Sequence, residues 1–425
     1  MIQTTVQNKA FISGWRWVYV VLGNLVMMCL GTVYAWSVFR IPVEKTFGIG
    51  ATQSGLPYMV SLAFYALFMM ISGYFYNRYS PRAIMTTGVF LIALGWILSA
   101  YAPNIYILTL TYGVLIGAGV GIAYGVPLAV VAKWFPDKKG LAVGLVLIGF
   151  GLSPLITAPL ARMFIEMYGI SFTFMILGIA FGVLLPVLTL AFRYPKESGS
   201  ESNLLPDTKD RKPKDIPSDQ MLKTRSFKGL YLNFLIGAMI GLMLIGMTGK
   251  IGIEYMGLSS RSIAFWMSLF AIFNGLGRPV FGWLTDRLSY PKAATLSYCM
   301  IAFAALLMLF AREGQPLLFG VAFSIFWFNL GGWLAIAPTS TLSLFGALNY
   351  SRNYGIVFTA YGIGAIAGVL GSGFLLDRLG SYQVVFYLVL ALCLAGALIA
   401  IKQVPLSNRK PQSPGKDSLT LSTGK

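Results

Sequence analysis

Apolar residues run through this chain in blocks of about twenty, each broken by a short polar stretch. Blocks of that length suit a helix, which rises ~1.5 Å per residue and must cross ~30 Å of hydrocarbon. The pattern predicts twelve spans, near residues 17–39, 53–76, 83–102, 105–134, 140–164, 170–192, 229–249, 263–285, 293–311, 315–345, 353–376 and 382–402. The first run, Trp17 to Phe39, is too long for the apolar region of a signal peptide and has no small-residue cleavage pattern behind it. It is expected to stay as helix 1. The predicted class is an all-α membrane protein.

One long stretch interrupts the pattern. From Tyr194 to Arg225 the chain turns rich in Pro, Ser, Lys and Asp, as a solvated linker does, and so divides the spans six and six. The units expected are a first half over 1–193, a linker over 194–225, a second half over 226–403 and a polar, basic tail over 404–425. Near the linker's end, Ser218 to Phe227 reads as a short interfacial helix capped by Ser218 or Asp219, with Met221, Leu222 and Phe227 toward lipid. The halves also repeat. GYFYNRYSPR from Gly73 is answered by GWLTDRLSYPK from Gly282, an offset of 209, and Pro127 is answered by Pro338 at an offset near 210. A duplicated six-helix bundle accounts for both.

Composition narrows the function. Of 425 residues, 57% are hydrophobic and 11% charged, with a net charge of +18. With both termini inside, 24 of the 32 basic residues fall on the cytoplasmic side, so the charge reads as an orientation signal and not as a nucleic-acid surface. Cys29, Cys299 and Cys393 all lie in apolar runs and are odd in number, which suits neither a disulfide framework nor a metal site. No histidine is present, which removes the commonest metal ligand, general base and proton relay. No metal, cofactor or enzymatic chemistry is expected.

Arg278 stands out within the eighth run, AIFNGLGRPVFGWLTDR, where no acidic residue of a predicted span is available to balance it. A cation at membrane depth costs roughly 2.5–3.5 kcal/mol on insertion scales. Such a residue by default faces a ligand site or pathway, so the missing negative charge is assigned to a bound substrate. Snorkelling, or pairing with a helix C-terminus, remains the structural alternative. In the repeat, Met69 occupies the matching place, so duplication does not explain the charge. Asn274, one turn earlier, should share the arginine's face, and it suits a substrate contact or an interhelical bond about equally. Pro279 and the glycines at 275 and 277 suggest a kinked or unwound turn. Gly117, Gly121 and Gly125 suggest close helix approach, and Asp137, Lys138, Lys139 and Arg352 suggest contacts that close the cytoplasmic side.

The two loop sequences resemble the Gly-x-x-x-Asp-Arg signature of the major facilitator superfamily, with Asn77 in place of the first Asp and Asp286-Arg287 keeping the second. GAGVGIAYG (117 to 125), KWFPDKKGLAVG (133 to 144), FNGLGRP (273 to 279) and RNYGIVFTAYG (352 to 362) resemble the oxalate/formate antiporter family, relatives of the monocarboxylate carriers. The resemblance implies a twelve-helix fold of two pseudosymmetric halves. It also implies a carboxylate held by Arg278 inside an aromatic cage of Tyr34, Tyr124, Phe150 and Phe358. Without it, Tyr34 and Tyr124 read more readily as core or interfacial aromatics than as site residues. Two positions depart from the oxalate carriers: Phe150 replaces a tyrosine, and Tyr361 replaces a lysine. Trp333, near the repeat mate of Tyr124, is a further pocket candidate.

One guanidinium balances one carboxylate, whereas a dianion at the same place would leave an uncompensated buried charge. The expected activity is therefore alternating-access transport of a small monocarboxylate of the lactate, pyruvate, formate or acetate class across the cytoplasmic membrane, by a monomer. Proton symport, exchange and uniport stay open, with Glu254, Asp286 and Asp377 as candidate acids. Oxalate/formate exchange is the nearest rival, and a non-transporting carboxylate sensor is a second.

Overall fold

The structure is a computed structural model that describes residues 15–75, 78–135, 139–195, 215–346 and 349–403, with the backbone alone at 139–141 and 351. Asn77, Asp137, Lys138, the side chain of Lys139 and most of the linker and tail lie outside the described residues.

The described residues are almost wholly helical. In chain order the spans are α1 Trp17–Phe47, α2 Ala51–Ser72, α3 Pro81–Ser99, α4 Ile105–Trp134, α5 139–168, α6 170–190, α7 Arg225–Tyr255, α8 Ser260–Leu288, α9 Tyr290–Phe310, α10 Pro316–Phe345, α11 Tyr350–Leu379 and α12 Gln383–Ile401. α5 and α6 would form one rod but for Gly169, whose φ of 78° suits a residue without Cβ and breaks the helix. Hydroxyl and amide side chains start several helices: Ser80, Asn104, Thr224 and Ser259 each accept a backbone N–H of the first turn of α3, α4, α7 and α8. The two six-helix halves meet mainly through α5 against α8, α2 against α11 and α1 against α7.

Several boundaries differ from the sequence reading. α1 continues eight residues beyond Phe39, to Phe47, and α7 continues to Tyr255, so Arg40, Glu44 and Lys250 belong to spans and not to loops. Arg278 is thus not the sole cation within a span, and acidic residues do occur in the spans. Arg40, 1% exposed, donates Nε to Ser54 Oγ at 2.9 Å, Nη1 to the Gly246 carbonyl at 3.1 Å and Nη2 to the Ala51 carbonyl at 2.5 Å. Glu44 accepts from Ser54 Oγ at 2.6 Å and pairs with Lys250 Nζ at 2.6 Å; Lys250 lies 3.6 Å from Glu254, which accepts from Tyr382. Asp377, at the end of α11, accepts the backbone N–H groups of Ala51 and Thr52 at the start of α2. This network clasps the halves at the face opposite the two termini. It also occupies two of the acids considered for proton coupling, Glu254 and Asp377.

The interfacial helix shrinks to one turn, Ser218–Met221, preceded by Pro217 at the cap position. Met221 and Phe227 are buried, not turned toward lipid, while Leu222 is exposed. Ile216 N–H donates to the Phe345 carbonyl and Ser218 donates to Asn353, which ties this turn to α10 and α11, while Phe227 already belongs to α7 and lies 5.4 Å from the Tyr231 ring. α8 runs unbroken through Pro279, so the unwound turn expected there is absent.

Candidate functional site

Tyr34 lies in a 3-10 stretch, Gly31–Ala35, inside α1. Tighter winding in mid-helix resets which side chains face the interior and often marks a working segment. Gly31 makes this possible on the α5 side: a Cβ there would lie 2.3 Å from the Phe150 carbonyl. The close approach brings the Tyr34 and Phe150 rings to 5.1 Å. On α4, Gly121 does the same against α2, where a Cβ would meet the Tyr65 carbonyl at 2.5 Å. Tyr65 and Tyr124 consequently stand 5.2 Å apart.

Phe150 is the hub. Tyr34, Tyr124 and Tyr65 surround it with centroids at 5.1, 5.4 and 5.9 Å, and the Arg278 guanidinium carbon sits 5.8 Å from its ring, a weak cation–π contact. From the other half, Phe358 and Tyr361 stack at 4.9 Å and both touch Tyr65, at 5.3 and 5.8 Å. The Tyr34 and Tyr361 hydroxyls meet at 2.7 Å across the two halves. All of these side chains are 4% exposed or less. The structure therefore brings Arg278, Tyr34, Tyr124, Phe150, Phe358 and Tyr361 into one cluster drawn from α1, α4, α5, α8 and α11.

The electrostatics centre on Arg278. Its Nη1 donates to the Leu147 carbonyl of α5 at 2.7 Å, tying α8 to the opposite half. Its Nε and Nη2 are buried and have no hydrogen-bond partner among the described residues, and no described carboxylate lies within 4 Å of it. Nε and Nη2 form one edge of the guanidinium fork, with two parallel N–H donors spaced as the two oxygens of a carboxylate. An unsatisfied buried donor costs about 1–3 kcal/mol, and more when charged, so this edge is suited to an anionic acceptor.

Two candidates sit elsewhere. Asn274 donates Nδ2 to the Trp327 carbonyl of α10 at 3.0 Å, an interhelical bond, although its Oδ1 is buried without a partner beside Gly151. Trp333 turns into its own half, against Gly237 of α7 and 5.3 Å from Tyr298 of α9. Conversely, Tyr65 was not anticipated. Its one sequence signal is the repeat: 209 residues before Asn274 stands Tyr65, just as Met69 precedes Arg278. Toward the terminal face, Arg352 of α11 lies 5.8 Å over the Tyr74 ring at the end of α2, a contact between the halves.

Comparison with known proteins agrees with this architecture. The chain is 29% identical over 363 residues to the oxalate:formate antiporter of Oxalobacter formigenes, covering 85% of this chain and 84% of that protein. It is 27% identical to the MFS-type transporter YhjX of Escherichia coli (strain K12), covering 83% and 86%. It is 25% identical over 429 residues to monocarboxylate transporter 12 of Mus musculus, covering 95% and 88%. Among solved structures, a bacterial homolog of the human lysosomal transporter Spinster, inward-facing and unoccupied, superposes with a TM-score of 0.65 at 14% identity, covering 91% of this chain and 95% of that one. The family model of the Major Facilitator Superfamily matches residues 21–347 and, in a second match, 232–423, and this multi-pass membrane chain belongs to that superfamily of transporters.

Proposed function

We propose that this protein carries a small monocarboxylate anion across the cytoplasmic membrane by alternating access, with both termini in the cytoplasm. The observation that carries the reading is the unpaired Nε–Nη2 edge of Arg278, buried between the halves and walled by the rings of Tyr34, Tyr65, Tyr124, Phe150, Phe358 and Tyr361. A carboxylate docked on that edge satisfies two donors and neutralises the charge. Its apolar remainder then lies against aromatic faces. Arg278 already bonds Leu147 across the interface, so a cargo held by it contacts both halves at once, which is the geometry that rocking transport uses.

Oxalate/formate exchange is the second reading, favoured by the likeness to the oxalate:formate antiporter. The charge count works against it. Among the described residues no second cation contacts these rings, and the position given to lysine in the oxalate carriers is Tyr361, which hydrogen-bonds to Tyr34 instead. A dianion bound there would keep one uncompensated charge in a low-dielectric site.

Uptake of labelled lactate, formate, acetate and oxalate into proteoliposomes, with and without a pH gradient, separates these readings. Monocarboxylate uptake with weak oxalate competition is expected. Tight oxalate competition with trans-stimulation by formate would replace the first reading by the second, and ligand binding without uptake would make the protein a sensor.

A further inference from the structure

A second cationic site lies at the terminal face of the first half. A cleft of about 610 Å³, where α3 begins and α4 and α6 end, is lined by Arg78, Arg82, Lys133 and Arg193 together with Ser80 and Tyr194 among others, and among the described residues none that lines it is acidic. Among the described residues no carboxylate lies within 4 Å of any of the four cations. Three of the four are held in place. Arg82 donates Nε to the Phe192 carbonyl at 3.2 Å, leaving the rest of its fork outward; Lys133 Nζ sits 3.9 Å over the Tyr194 ring; and the Arg193 carbonyl accepts from Trp134 Nε1 at 2.9 Å. Like charges gathered into one cleft repel, so the arrangement favours an anion between them.

The repeat sharpens this. In the second half Asp286 stands beside Arg287, and Ser343 occupies the place of Lys133 at an offset of 210. The first half has neither the acid of that loop nor the neutral residue. Duplication accounts for the basic mates Arg287 and Lys292 of Arg78 and Arg82, so what is particular to the first half is the missing acid of the loop and the added Lys133.

Its surroundings suggest the kind of anion. Tyr79 in the cleft wall is 57% exposed, and Phe75 and Leu190, a few residues from the lining along the chain, are exposed apolar side chains as well. A ligand there has a phosphate for the guanidinium groups and hydrocarbon for the exposed side chains. We propose that the Arg78–Arg82–Lys133–Arg193 cleft binds the phosphate of an anionic phospholipid from the leaflet at the terminal face, and so anchors the first half to the membrane while the second half moves. Arginine forks suit phosphate oxygens, and basic residues at a membrane surface add attraction to anionic lipid individually. The proposal is independent of the cargo at Arg278.

Native mass spectrometry of the full chain titrated with phosphatidylglycerol, and with phosphatidylcholine as the neutral lipid, tests it. The variant Arg78→Gln/Arg82→Gln/Lys133→Gln/Arg193→Gln should hold phosphatidylglycerol at least about tenfold more weakly than wild type. Lys223→Gln/Lys228→Gln/Lys292→Gln, which removes charge from the second half and its approach, should leave that binding unchanged. If the fourfold variant fails to fold, Lys133→Gln/Arg193→Gln is read in its place, with a weakening of about threefold expected. Equal losses in the cleft variant and the control would overturn the proposal, as would equal retention of both lipids by wild type. Displacement of the lipid by inorganic phosphate at matched concentration would make this a free-anion site and overturn it too.

Discussion

Two arginines are buried among the described residues, and they differ in what surrounds them. Arg40 is 1% exposed and every nitrogen of its guanidinium has a protein acceptor, with Glu44 3.8 Å away. Arg278 is 4% exposed and uses only Nη1, leaving the other edge of its fork unsatisfied. Burial alone therefore does not mark a functional charge. What separates the two is completeness: Arg40 has an acceptor in the chain for each of its nitrogens, as a structural cation does, whereas the half-filled Arg278 at the interface between the halves is the one we propose to hold the cargo.

The contrast can be broken most directly by removing each cation in turn. Arg278→Met should reduce uptake by roughly a hundredfold, the loss of two charge-assisted hydrogen bonds worth about 3 kcal/mol together. Its thermal midpoint should stay level or rise, because an unpaired buried charge has been replaced by an apolar side chain of similar length. Arg40→Met should behave in the opposite way. It leaves Ser54 and the Ala51 and Gly246 carbonyls without their charged donor and should cost about 3–5 kcal/mol of stability, read as a clear fall in the thermal midpoint. Adding Glu44→Gln to Arg40→Met breaks the Lys250 pair as well and should deepen the loss, and no further fall would mean that this pairing is not what stabilises the clasp.

Smaller effects test the cage. Tyr361→Lys supplies a second cation beside Tyr34, so oxalate competition should strengthen by about tenfold relative to lactate, in keeping with ~1.4 kcal/mol per decade. Unchanged competition would count against the charge argument. Tyr65→Phe keeps the ring contacts with Phe150 and Phe358 and should change uptake less than about threefold, whereas Tyr65→Ala leaves a cavity among four aromatic neighbours and should cost about tenfold or more.

Much of this was readable along the chain, for reasons that differ by residue. The twelve helices follow from runs of apolar residues, and the Gly169 break between α5 and α6 falls between two of the predicted spans. Arg278 was conspicuous because a lone charge in an apolar run is rare and its repeat mate is Met69. Tyr34, Tyr124, Phe150, Phe358 and Tyr361 were named through family resemblance, since aromatic residues are 14% of the chain and no single one announces a pocket. Tyr65 was missed for the same reason. The clasp at the opposite face was missed because a hydropathy reading ends a span at its first charge. A helix can continue as long as another element pairs that charge, and here Lys250 does so for Glu44 from 206 residues away. Pairings at that separation, like those that tie the Ser218–Met221 turn to α10 and α11, leave no local trace.

The sharpest test of Arg278 as the cargo's counter-charge is ligand-induced stabilisation measured on wild type and Arg278→Gln side by side. Lactate or formate at about a hundred times its dissociation constant should stabilise the wild-type protein by about 2.7 kcal/mol, raising its thermal midpoint, and should leave the variant's midpoint unmoved. An equal rise in both proteins would place the anion elsewhere and contradict the account.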